Sequence, residues 1–232
     1  MNEIKADHEG IIPVSLTDEE IKWLRKNLIQ WGRKHNRKFP WRLQHSPFHS
    51  LVAEILLQRT KAEQVAPVFE EFIRRFPEPK SLSIATENEI LDVIRSLGLS
   101  WRGRFLKLLG TELINGIPGN YNDLLKLSGV GPYAAGAYLS LHAGKWSPLI
   151  DSNVIRLYGR YFGFRTDGET RRKKPIKIIA SILTPRRAFK TFNYALLDFS
   201  ALICAYKPAC AKCPLRRRCS YFIGGEKCHS KV

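Results

Sequence analysis

A few short stretches of this chain carry residue types that can do chemistry. In "LSGVGPYAAGAYLS", Gly129 and Gly131 bracket Val130 at the threshold of an apolar helix. Both glycines can take positive φ and put no Cβ in the way, so successive N–H groups can turn outward together. A helix starting near Pro132 adds its positive end to the same spot. That spot suits one phosphate of a nucleic acid backbone, and it is equally the recipe for a tight interhelical turn. Downstream, "PLIDSNVIR" sets a lone Asp151 directly before a helix, where it can cap the helix or supply a negative charge. "LVAEILLQRTKAEQV" places Glu54 in the middle of an apolar helix, where a carboxylate is costly unless it is paired or used. Cys204, Cys210, Cys213 and Cys219 follow the spacing C-x5-C-x2-C-x5-C. Four thiolates in so short a loop suit a [4Fe-4S] cluster, whereas zinc more often shows two close Cys pairs. Cys228 is left over.

The elements that must position these residues are helical. Alternating strand-like runs bounded by hairpin turns are scarce, and the fold class is read as all-α. "TDEEIKWLRKNLIQW" begins with a capping box, Thr17 and Glu20, and places Ile21, Leu24, Leu28 and Trp31 on one face. "HSLVAEILLQRT" reads as a buried helix. Pro67 is expected near the start of the next, "APVFEEFIRRF". "TENEILDVIRSLG" repeats the capping box with Thr86 and Glu89 and ends at Gly98 as a C-cap. Further helices are expected from about Gly103, Tyr121, Pro132, Ser152 and Pro175, the last reaching "FNYALLDFSALIC". No internal repeat or low-complexity linker interrupts them.

Composition narrows the partners. With 232 residues, 44% of them hydrophobic, and 12 Phe, 5 Trp and 8 Tyr, the chain can bury a sizeable core in one or two domains. Lys and Arg total 38 against 21 Asp and Glu, a formal charge of +17, which attracts polyanions. Basic clusters stand at "RKHNRK", "TRRKKPIK", "TPRR" and "PLRRRC", so nucleic acid is the leading partner. No apolar run approaches the roughly 20 residues of a spanning helix and "MNEIKADHEG" is no signal peptide, so the expected location is cytoplasmic, at the nucleoid, with no membrane partner. The crowding of the cysteines near one end speaks for a metal site rather than a disulfide scaffold.

Taken together, "LLKLSGVGPYAAGAYLS" and "PLIDSNVIRLYGRYFG" resemble the helix-hairpin-helix, Gly-Pro loop and aspartate signature of base-excision DNA glycosylases of the endonuclease III and MutY superfamily. The resemblance spans about residues 25 to 222. It implies a two-lobed fold with the DNA cleft between lobes: a six-helix barrel over 48–159 with the hairpin, and a discontinuous helical domain from 1–47 and 160–232 with the iron–sulfur loop. It implies that Gly129, Val130 and Gly131 grip a backbone phosphate, often through a bound monovalent cation, and that Asp151 faces C1′ of a flipped nucleotide in double-stranded DNA. A carboxylate there stabilises the oxocarbenium-like state of N-glycosidic cleavage. Bifunctional relatives carry a Schiff-base lysine where this chain has Tyr133, so a monofunctional enzyme is implied, with the Tyr133 hydroxyl on Asp151, on the sugar, or simply lining the pocket. Glu54 corresponds to the glutamate that points into the base pocket, and Gln58 to the glutamine that fills the duplex after flipping. Arg216, Arg217 and Arg218 are expected near phosphates, and the protein is expected to be a monomer.

Two branches compete for the base. MutY-type adenine glycosylases carry a C-terminal 8-oxoguanine recognition domain, expected to be absent here, and an adenine-reading glutamine where this chain has Tyr194. Short chains with "EILL", "GLS", "RYFG" and "DFSA" look like archaeal-type thymine-DNA glycosylases, which act on T and U opposite G. That branch carries alanine at the position of Ala62. The expected function is therefore removal of mispaired thymine or uracil. An adenine glycosylase and a non-enzymatic DNA-binding module are the alternatives.

Overall fold

The computed structural model describes residues 16–98 and 100–225; Cys228 and the "MNEIKADHEG" stretch lie outside the described residues. Among the described residues the regular structure is helical: α1 (Asp18–His35), α2 (Pro47–Leu56), α3 (Ala62–Arg75), α4 (Pro79–Ile84), α5 (Glu87–Ile94), α6 (Trp101–Glu112), α7 (Tyr121–Leu124), α8 (Pro132–Ala137), α9 (Ser152–Phe162), α10 (Lys174–Leu183), α11 (Phe189–Leu202) and α12 (Ser220–Ile223). None of them is long and apolar enough to cross a membrane. They form two compact units. One takes the described residues up to Arg37 together with those from Trp146 onward, and the other takes Lys38–Lys145.

The Lys38–Lys145 unit is built on α2, whose Leu51, Val52, Ile55 and Leu56 are fully buried among Phe69 and Phe72 of α3 and Leu106 and Leu109 of α6. Ser46 starts α2 by accepting the His49 N–H at 3.3 Å, and Pro47 at the first helical position sacrifices no hydrogen bond. α3 begins at Ala62, four residues before the expected "APVFEEFIRRF", and carries Pro67 inside. At α5 both halves of the Thr86–Glu89 capping box form, and Gly98 follows a short 3₁₀ turn at φ 69°. α8 does not end cleanly: it runs on into a π-helical turn, Tyr138–His142, closed by the Ala143 N–H on the Tyr138 carbonyl at 2.9 Å.

In the other unit, Leu24 and Leu28 of α1 pack with Tyr158 of α9, Ile176 and Leu183 of α10 and Phe192 and Phe199 of α11. Thr17 caps α1 through the Glu20 N–H at 3.2 Å. Arg25 closes α10 by donating to the Leu183 and Ile182 carbonyls. The single helix expected from Pro175 is two, because Pro185 cannot continue α10, and Ala188, at φ 57°, reverses the chain before α11. Buried Asp198 of α11 holds Arg37 through Nε at 2.7 Å and its backbone N–H at 3.1 Å, fixing the end of the segment that follows α1.

Candidate active site

Glu54, on the buried side of α2, is 1% exposed, and Nε2 of His142 stands 3.0 Å from its Oε1. The π-helical turn delivers that imidazole. An ideal α-turn would rotate the last residue by a different angle, and π insertions are frequent at functional sites. His142 was not singled out by the sequence; the signal was Glu54 itself, whose position in an apolar helix demands a partner.

Just past α2 the chain turns sharply at Arg59, a non-glycine residue at φ 58°. Fully buried Arg102 of α6 holds this turn by donating to the Leu56 carbonyl at 3.1 Å, the Gln58 carbonyl, and Thr60 Oγ1 at 2.8 Å. Burial lowers the Arg102 pKa. With its carbonyl fixed, Gln58 sends its amide outward to the Gly129 carbonyl at 2.8 Å, so the turn and the hairpin loop are tied together. On the far side of the loop, Ser128 donates its N–H and hydroxyl to Glu112 at 2.7 and 2.8 Å. Gly129 takes the left-handed conformation, φ 77°, with Phe105 Cβ 3.3 Å from where its own Cβ would be. Gly131 does not: its φ is −92°, and a Cβ there would meet nothing within 4 Å. The backbone conformation therefore does not require glycine at 131. Tyr133, in the first turn of α8, is half-buried, and Ala62 lies against the core at the start of α3.

In the other unit, Asp151 is the N-cap of α9. Its Oδ1 accepts the Val154 N–H at 2.7 Å, and its Oδ2 accepts from Asn153 Nδ2 at 3.2 Å. Burial raises its pKa above the ordinary carboxylate range, against the opposing pull of those hydrogen bonds and of the Arg156 charge. Tyr158, on the same helix, has its pKa pushed up by burial and by the nearby Asp151. Tyr194 of α11 is half-buried beside Asn193, which donates to the Ser147 carbonyl at 3.0 Å.

The iron–sulfur expectation is corrected. Cys204, Cys210, Cys213 and Cys219 line one small cavity with Arg160 and Tyr161. Yet among the described residues no three His, Cys, Asp or Glu side chains are arranged to hold a metal ion, so neither a [4Fe-4S] cluster nor a metal-binding class is supported. Nor does such a side-chain group stand at the hairpin, where the resemblance implies a monovalent cation. Burial raises the pKa of Cys204, Cys219 and Cys213, the last to about 11, and the Cys219 thiol donates to the Arg160 carbonyl at 3.4 Å. Cys204, Cys213 and Cys219 pack with buried Leu215 against this unit's core. In the loop Arg216, Arg217 and Arg218 are all exposed; Arg216 donates to the Ala211 carbonyl at 2.6 Å and Arg218 to Glu19 at 2.8 Å.

Comparison with known proteins bears on what these two groups of residues belong to. Residues 52–181 match the family described as HhH-GPD superfamily base excision DNA repair protein, a span that takes in Glu54, the hairpin and Asp151. The chain is a member of that family. Among its relatives, the thymine-DNA glycosylase of Aeropyrum pernix is 38% identical over 216 residues, covering 87% of this chain and 95% of that protein. The thymine/uracil-DNA glycosylase of Methanothermobacter thermautotrophicus is 34% identical, covering 91% and 97%. The solved structure of a thermostable thymine-DNA glycosylase superposes with a TM-score of 0.84 at 33% identity, covering 90% of this chain and all of that one. Within the family, the all-α, two-unit architecture is this chain's fold.

Proposed function

We propose that this protein is a monofunctional DNA glycosylase that flips thymine or uracil mispaired with guanine out of double-stranded DNA and hydrolyses its N-glycosidic bond. The observation that carries the reading is end-to-end similarity to thymine-acting relatives in a chain that places a phenol, Tyr133, in the first turn of α8. The base leaves with the electron pair of the C1′–N1 bond, and positive charge builds on the deoxyribose. The Asp151 carboxylate stabilises that charge, water supplies the oxygen that bonds to C1′, and the water's protons end on the released base and the sugar hydroxyl. A mismatched base is extruded more cheaply than a paired one. A tyrosine cannot form the imine that precedes strand cleavage, so the product is an abasic site. The hairpin loop Gly129–Gly131 and exposed Arg217 are assigned to DNA phosphates, Gln58 to the gap left by the flipped base, and Ala62, in the same unit as Glu54, to the flipped base. Such an enzyme would act as a monomer on chromosomal DNA in the cytoplasm.

A single gel assay tests this. On end-labelled duplexes differing only in one central pair, T:G and U:G should lose their base, with strand scission visible only after hot alkali. Dominant adenine release from A:G or A:8-oxoguanine would overturn the base assignment.

A further inference from the structure

Glu54 is buried with one oxygen satisfied and one not. Oε1 is engaged by His142 Nε2 at 3.0 Å, and both side chains are almost wholly enclosed, 2% and 5% exposed. Oε2 is buried with no hydrogen-bond partner. His142 is held in place by the π-helical turn and by Tyr138, whose ring lies 6.5 Å away, centroid to centroid, and inclined by 26°. A buried acceptor left unmatched is costly, more so when it is charged, so the fold holds Glu54 in an incomplete state. Buried unsatisfied groups call for a role.

We infer that His142 is a positioning residue that holds Glu54 by Oε1 so that its Oε2 takes the N3–H of a flipped uracil or thymine. The inference rests on the function proposed above. With Oε1 held by the imidazole, Oε2 is the oxygen left without a partner, and its lone pairs are open to a donor. Uracil and thymine present an N–H at N3. Cytosine presents a lone pair there, which would face the carboxylate's own, and cytosine and adenine could donate to Oε2 only through an exocyclic amine, with the ring placed differently. One imidazole, 88 positions away in sequence, thus holds the carboxylate that meets the base.

The test measures single-turnover release from U:G duplexes and from duplexes with N3-methyluracil opposite guanine, for wild type, His142→Ala and His142→Gln, with the melting temperature of each protein. Wild type should prefer uracil strongly. His142→Ala frees Oε1 and lets the carboxylate turn, so uracil release should fall about tenfold or more and the preference over N3-methyluracil should narrow. His142→Gln restores an N–H donor and should recover most of both. An unchanged preference in a folded His142→Ala protein, or a folded His142→Gln protein that recovers nothing, overturns the inference. If His142→Ala does not fold, the glutamine variant and the wild-type ratio decide, and equal release of uracil and N3-methyluracil by wild type overturns it. Wild type that releases no uracil from U:G at all refutes the proposed function first, and this inference with it.

Discussion

The carboxylate of Asp151 closes the first turn of α9 through Val154 and, in the proposed reaction, must also be free to face a developing cation. The two demands separate under mutation. Asparagine caps a helix about as well as aspartate, so Asp151→Asn keeps the turn while removing the charge. Burial raises the Asp151 pKa, which means the folded protein holds this proton more tightly than the unfolded chain does. The associated stability is full below the unfolded value and is lost as pH rises through the folded value, so at neutral pH the anion is the costly form. Asp151→Asn should therefore melt at the same temperature as wild type or higher at pH 7, while single-turnover base release falls by about a hundredfold or more. The wild-type rate should also drop on the acid side at a pH above the ordinary aspartate pKa of about 3.9, and the residual rate of the variant should lack that limb. A variant that lost stability but kept near-normal release would make Asp151 a cap and nothing else.

At the scale of elements, much was legible where the information is local. The Thr86–Glu89 capping box, the apolar face of α1 and the Asp151 cap depend on residues within a few positions of one another, and the structure forms each of them. What the sequence did not reveal depends on distant partners: His142 against Glu54, Arg102 against the turn at Gln58, and the hairpin carbonyl that takes the Gln58 amide. The cysteines were over-read because spacing counts thiols without fixing their directions or their protonation. The hairpin glycines were read alike and are not alike. Gly129→Ala places a Cβ at positive φ and 3.3 Å from Phe105 Cβ, and should cost about 1–2 kcal/mol of stability, seen as a lower melting temperature. Gly131→Ala meets open space at an ordinary φ, so its melting temperature should stay put while affinity for a T:G duplex falls, because only an approaching backbone phosphate would meet the new methyl group. Equal loss of stability in the two variants would assign both glycines to the fold alone.

The whole molecule carries +17 formal charge on two units that each bury a core of their own. Charge of that size attracts DNA at a distance, but only side chains that displace counterions from phosphates set the salt dependence of binding. The basic loop between Cys213 and Cys219 allows the two effects to be told apart. Arg218 is committed within its own unit, donating to Glu19 at 2.8 Å and lying over the Trp23 ring with its guanidinium carbon 4.9 Å from the centroid. Arg216 and Arg217 are both exposed, and Arg216 donates to the Ala211 carbonyl. Measured as the slope of log affinity against log salt on one T:G duplex, binding should weaken steeply for wild type. Arg217→Gln should reduce the slope by about one contact without altering the ratio of T:G to U:G release. Arg218→Gln should change the slope less and lower the melting temperature instead, since it removes an ion pair and a ring contact from the fold. The same net charge is lost in both variants, so identical slopes would mean that the overall field, and no particular arginine of this loop, governs how the protein holds DNA.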